Sequence, residues 1–206
     1  MKKDTDLKLD VDTIELDISF KNRASKSEPT NFVTDYRIKI SAYDVEEDIE
    51  FEIGEADVKL IRVEEMNCRD MDIIYMVDGI SQKIYDIYMS LIDKNGEYVN
   101  AIKKAGITRF ENILYVDDIC LNPEYDEKGL EKLILSTVVE AICTCRNGMI
   151  IICLPDTDKD DQEACLAARE YYKSWVSFGF KPVCKNSSVL FMRIDSIARP
   201  FELLND

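Results

Sequence analysis

Histidine is absent from all 206 residues. That removes Ser-His-Asp and Cys-His catalysis, both of which need an imidazole as the base. It also removes histidine-bearing zinc sites, and no Cys-x-x-Cys pair offers a four-thiolate alternative. Cys143-Thr-Cys145 is the nearest approach, and no metal site is expected. Positive charge is scarce: 26 Lys and Arg stand against 41 Asp and Glu, a net charge of −15. Phosphate backbones are gripped by basic footprints, so nucleic acid is not expected as a partner. Long apolar runs are missing too. The longest span about six residues, well short of the ~20 that cross a bilayer, so no membrane partner is expected. The opening Met-Lys-Lys-Asp-Thr-Asp lacks the apolar stretch of a secretory leader. The seven cysteines are odd in number and mostly sit in apolar runs. They read as small buried core residues in a reducing compartment, which predicts a cytoplasmic protein.

Length and a 46% hydrophobic content predict one domain with its own core. Residues 1–30 read as an N-terminal strand and polar loop extension, and 31–206 as a single domain. Ile14, Leu16, Ile18 and Phe20 alternate with polar residues, the period of a half-buried strand. Tyr36, Ile38 and Ile40 alternate next. Residues 50–63 carry Phe51, Ile53, Gly54, Val58 and Leu60, and two antiparallel strands are read there, with a bulge or turn around Gly54 to Ala56. Residues 71–77 fit either a strand or a helix start. From Ser81, the spacing of Ile84, Ile87, Tyr88 and Leu91 predicts an amphipathic helix, with Asn95-Gly96 ending it.

The second half alternates strand and helix. Residues 113–121 read as a strand, and Leu130, Leu133, Ile134, Val138, Ala141 and Ile142 as one helical face. Residues 149–154 are apolar on both faces, as in a buried parallel strand. A helix through Ala164, Tyr171, Tyr172 and Trp175 follows, then strands near 180–184 and 188–194. The fold class is α/β: a mixed, mostly antiparallel sheet of about seven strands flanked by helices.

Acid is concentrated in residues 41–70, where eleven acids face three bases, about −8 in all. Such a stretch steers a cationic amine substrate or a basic protein partner. It also reads as an ordinary solvated strand face.

Three stretches carry a resemblance: Asn112-Ile-Leu-Tyr-Val-Asp-Asp-Ile-Cys-Leu-Asn-Pro-Glu-Tyr-Asp-Glu-Lys-Gly-Leu-Glu131, Met149-Ile-Ile-Ile-Cys-Leu-Pro155 and Trp175-Val-Ser-Phe-Gly-Phe180. Their order resembles the cofactor half, here 112–194, of the GNAT superfamily of acyl-CoA-dependent N-acetyltransferases. The resemblance implies a sheet splayed between two central parallel strands, with the pantetheine arm of acetyl-CoA in the gap. It implies that the backbone of Ile119, Cys120 and Leu121 positions the thioester and pantetheine. The amides of Lys128, Gly129 and Leu130 would then hold the pyrophosphate at a helix start, where unpaired N–H groups favour an anion.

The family's loop pattern is Gln/Arg-x-x-Gly-x-Gly/Ala. Here Gly129 matches the first glycine, but Asp126 and Glu131 stand at the flanking signature positions. Lys128 offers a substitute phosphate contact. Equally, Asp126, Glu127 and Glu131 suit a helix start that binds nothing. Where the family often has a tyrosine that protonates the leaving thiolate, this chain has Trp175. Tyr171 or Tyr172, one turn upstream, would replace it, or both simply pack on the sheet. Asp117 or Asp118 would be the base, and strict alternation sends them to opposite faces. The implied activity is acyl transfer from acetyl-CoA to a primary amine. The alternative is a catalytically inactive binding module of the same fold for a basic protein.

Overall fold

The structure, a computed structural model, describes residues 14–21, 29–44, 49–125, 130–143, 147–155, 157 and 161–203. Among these, one sheet of seven strands organises the chain: β1 (Ile14–Lys21), β2 (Val33–Asp44), β3 (Ile49–Ile61), β4 (Ile113–Leu121), β5 (Met149–Cys153), β6 (Lys181–Pro182) and β7 (Val189–Arg193). Their spatial order is β1-β2-β3-β4-β5-β7-β6. Every neighbouring pair is antiparallel except β4 and β5, which run parallel at the centre. The architecture is thus the mixed α/β class that the sequence pattern predicts.

Alternation explains the two faces of the sheet. On β5, Ile150 and Ile152 join Ile38, Ile40, Val58, Leu114 and Val116 on one face. Two helices, α5 (Leu130–Ile142) and α6 (Gln162–Phe178), cover that face with Leu133, Ile134, Val138 and Trp175. Met149 and Ile151 point the other way, to a core shared with Tyr115 and Phe191. Four short helices cover that second face: α1 (Val63–Cys68), α2 (Ile73–Asp78), α3 (Gln82–Leu91) and α4 (Asn100–Lys104). A last short helix, α7 (Pro200–Leu203), packs near α5.

Local chemistry sets several boundaries. Asp72 accepts from the backbone N–H groups of Ile74 and Tyr75 and caps α2, so the stretch 71–77 resolves as a helix start, with the helix from Ile73, and not a strand. Ser81 caps α3 in the same way through the Ile84 N–H. That helix stops at Leu91, four residues before Asn95-Gly96, which instead turns a small loop closed by an Ile92–Tyr98 bridge. Gly179 takes φ 118° and ends α6. Gly148 admits no side chain: a Cβ there would sit 2.4 Å from the Asn112 carbonyl oxygen. That close approach lets the Met149 N–H donate to the same oxygen at 3.0 Å and brings β5 into line with β4.

Two register shifts matter more. Ile40 pairs with Gly54 but Ser41 with Glu52, so Ile53 is an extra residue on β3. Asp57 pairs with Asp118 but Val58 with Val116, which leaves Asp117 extra on β4. The shift inverts the phase of β4: Val116 and Ile119, three apart, both face the α5–α6 core.

The cysteines depart from expectation. Among the six described, Cys68, Cys120 and Cys184 are exposed, and Cys143, Cys153 and Cys165 are half-buried, so none is a buried core residue. Cys120 is exposed because the phase inversion turns it away from the core that receives Ile119. Cys68 closes a helix and Cys184 sits in a turn, where apolar neighbours in sequence do not mean burial.

Among the described residues, no helix is long and apolar enough to cross a membrane.

Candidate functional site

The parallel pair is short. Ile113 to Val116 pair with Met149 to Ile152, and then the two strands part. Cys153 turns to Val189, and the Leu154 N–H donates to the Ser188 carbonyl at 2.8 Å. On the other side, Asp117 to Leu121 stay with β3, held by Glu55–Cys120 and Ala56–Ile119 pairs. Beyond Val116 the β5-facing edge of β4 has no strand partner among the described residues. The sheet is therefore splayed, as the resemblance implies.

A cleft of about 520 Å³ opens at this fork. Asp117 and Asp118 line it from β4, Cys153 from β5, Tyr171 from α6, and Lys83 and Asp86 from α3. Strict alternation predicts that only one aspartate reaches it. The extra residue at Asp117 overturns that expectation and brings both side chains into one cleft.

The two carboxylates differ. Lys83 Nζ donates to Asp117 Oδ1 at 2.6 Å, and the Tyr115 hydroxyl donates to the same oxygen at 3.1 Å. Lys59 Nζ lies 3.8 Å from Oδ2. Burial pushes the Asp117 carboxyl up. The Lys83 hydrogen bond and charge, the Tyr115 hydrogen bond and the Lys59 charge outweigh it and hold the group below the ordinary carboxylate range. Asp117 is thus a pinned anion and a weak base. Asp118 is exposed, paired across the strands with Asp57, and free of such clamps.

Tyr171 brings a phenol to the cleft. Burial pushes its phenol up to about 12, offset slightly by the Trp175 indole, while Glu131, Asp118 and Cys153 add to the rise. It stays protonated across the physiological range. Trp175 itself is fully buried between Tyr171, Phe178 and Phe180, with ring centroids 5.8, 6.2 and 5.4 Å away. Its indole N–H has no acceptor in hydrogen-bonding geometry among the described residues. Trp175 is a core residue and not a donor to the cleft.

Tyr172 does not join Tyr171. It lines a separate depression of about 570 Å³ with Leu154, Cys165 and Arg169, because one residue along a helix is a rotation of ~100°. Ile119 is buried in the core, Cys120 is exposed and Leu121 half-buried, so these three could meet a ligand chiefly through their backbone. Leu130 opens α5 with its side chain buried. Lys128 and Gly129, with Asp126 and Glu127, lie outside the described residues. Among the described residues, no group of three or more Cys, Asp or Glu is placed to hold a metal ion.

Sequence reasoning misses Lys83, Asp86 and Cys153 as lining residues. A lysine on the polar side of an amphipathic helix reads as solvated, and nothing in its neighbours marks it as reaching a strand 34 residues away. Cys153 ends an apolar run and reads as core.

No protein-family model matches the chain, and no curated protein matches it.

Proposed function

We propose that this chain is an acyltransferase of the GNAT kind, moving an acyl group from acyl-CoA to a primary amine. The observation that carries the proposal is the fork itself: a central parallel pair that ends at Val116 and Ile152 and opens a cleft beside an unpaired strand edge. Such an edge offers backbone donors and acceptors in a row, which fits the amide groups of a pantetheine arm. The backbone of Ile119, Cys120 and Leu121 would lie along that arm. The start of α5 at Leu130 faces the pyrophosphate in this reading.

When bound, acyl-CoA supplies an activated thioester. Asp118, exposed at the cleft, takes a proton from the incoming ammonium and leaves a neutral amine to attack. Tyr171 holds its proton at Oη beside the cleft and gives it to the departing thiolate. Asp117, already neutralised by Lys83, attracts no further proton and serves to orient the wall of the cleft. The acids along β3 draw a cationic acceptor towards this side.

Titration calorimetry with acetyl-CoA tests the reading. Saturable binding supports it, and an isotherm still flat at millimolar acetyl-CoA ends it.

A second reading, an inactive module of this fold for a basic protein, is favoured by one observation. Lys83 and Lys59 already occupy Asp117, so one of the three acids that line the cleft is spent inside the chain. It predicts no acetyl-CoA binding and a partner released by moderate salt.

A further inference from the structure

Among the described residues, β1 ends the sheet with no strand partner on its outer edge. Eight residues pair with β2 in unbroken register, from Ile14–Ala42 to Lys21–Asp35, with no bulge and no proline. Edge strands are commonly blunted by such irregularities, and a long regular edge is a template for another strand. Its apolar face is also incompletely covered. Ile14, Leu16 and Ile18 are half-buried against the α5–α6 core, whereas Phe20 is 69% exposed despite its contact with Tyr36.

The order of residues along this edge selects its partner. An antiparallel copy of the same strand keeps like faces together only in registers where opposed residue numbers sum to an even value. Centring on Asp17 sets the two Asp17 carboxylates against each other. Centring on Ser19 leaves only residues 17–21 opposed. Centring on Ile18 opposes residues 15–21 of both copies. There Leu16 meets Phe20, Ile18 meets Ile18, and Glu15 meets Lys21 twice over. Among the described residues neither Glu15 nor Lys21 has an ion-pair partner within its own chain. The strand is complementary to itself in polarity and charge.

We propose that the free edge of β1 pairs with β1 of a second copy, antiparallel about a two-fold axis at Ile18, to form a dimer through one continuous sheet. Opposite charges facing across strands attract, and like charges facing there repel. The dimer carries a unit of specificity in its two Glu15–Lys21 pairs, and a net charge of −15 per copy opposes it at long range.

Sedimentation equilibrium and light scattering on the full chain test this, with three variants. Glu15→Lys and Lys21→Glu each replace two attractions by two repulsions and should raise the dimer dissociation constant about tenfold. The double variant restores opposite charges and should recover most of the loss. Glu15→Lys is the sharp case, because it lowers the net negative charge and would strengthen any dimer limited by overall repulsion. A chain that stays monomeric at every concentration overturns the proposal. So does a dimer indifferent to both single variants, which would use another surface. A monomer whose outward-facing β1 amides, those not donated to β2, exchange slowly with deuterium overturns it as well, because the chain's own residues would then cover the edge.

Discussion

Lys83 Nζ sits 2.6 Å from Asp117 Oδ1, joining α3 to the one residue of β4 that has no partner on β3. Lys83 also lies over the Tyr115 ring, 5.7 Å from its centroid. A helix on one face is thereby tied to the fork of the sheet. The extra residue makes this possible, since it delivers a carboxylate where plain alternation would not.

The tie should be visible as pH-dependent stability. The folded-state pKa of Asp117 is depressed, so its contribution is present above the unfolded value of about 3.9 and is lost as pH falls through the folded value. Lys83→Met should cost about 0.5–1 kcal/mol at neutral pH, a modest figure because Lys83 is 61% exposed and screened. Urea denaturation of both proteins at neutral pH and at about pH 2 checks it. The gap should close in acid; a gap of the same size at both pH values assigns the loss to packing.

Tyr171 and Tyr172 should separate cleanly. Under the proposed acyl transfer, Tyr171→Phe should lower kcat by roughly 10²-fold or more with KM little changed. Tyr172→Phe should leave kcat near its starting value, because that ring lines a different depression. Steady-state rates of thiol release decide between them. Equal losses in both variants would mean that the aromatic packing of α6, and not proton donation, matters.

Acyl-CoA in the fork should shield Cys153. Alkylation followed by residue-resolved mass spectrometry should show Cys153 protected by acetyl-CoA, with exposed Cys68 and Cys184, both away from the fork, unaffected. Uniform labelling with and without ligand would place any bound CoA elsewhere.

Gly54 should not tolerate a methyl group. A Cβ there would lie 2.4 Å from the Cys120 carbonyl oxygen and 2.9 Å from Leu121 Cδ2. Gly54→Ala should destabilise the fold by about 1–3 kcal/mol, as overpacking does. Thermal unfolding checks it, and an unchanged Tm would mean that β3 and β4 separate more readily at the fork than their pairing implies.

Periodicity made much of this legible. The helical spacing of Leu130, Leu133, Ile134 and Val138 and the doubly apolar Met149–Cys153 strand are strong signals because burial demands them. Short α1 and α4 escaped, since six and five residues complete too little of a period to stand out. Glu64 and Glu65 also read as a continuation of the acidic strand before them. The bulges were half legible: Gly54 marks one on β3, but no glycine or other irregular residue announces the one at Asp117. Cleft membership was hidden for the same reason, because parity counted through Asp117 assigns the two aspartates to opposite sides.

The extra residue at Asp117 behaves like a dislocation in a crystal. One inserted unit displaces every later position by half a repeat, and the strain stays local. Removing that single residue would not simply shorten a strand. It would turn Ile119 outward and Cys120 inward along the stretch that borders the fork, exchanging an oily wall for a thiol-lined one. Between Val116 and Leu121, a deletion should therefore be more damaging than most substitutions, and a compensating insertion two residues further on should repair the tail of the strand while leaving the fork scrambled.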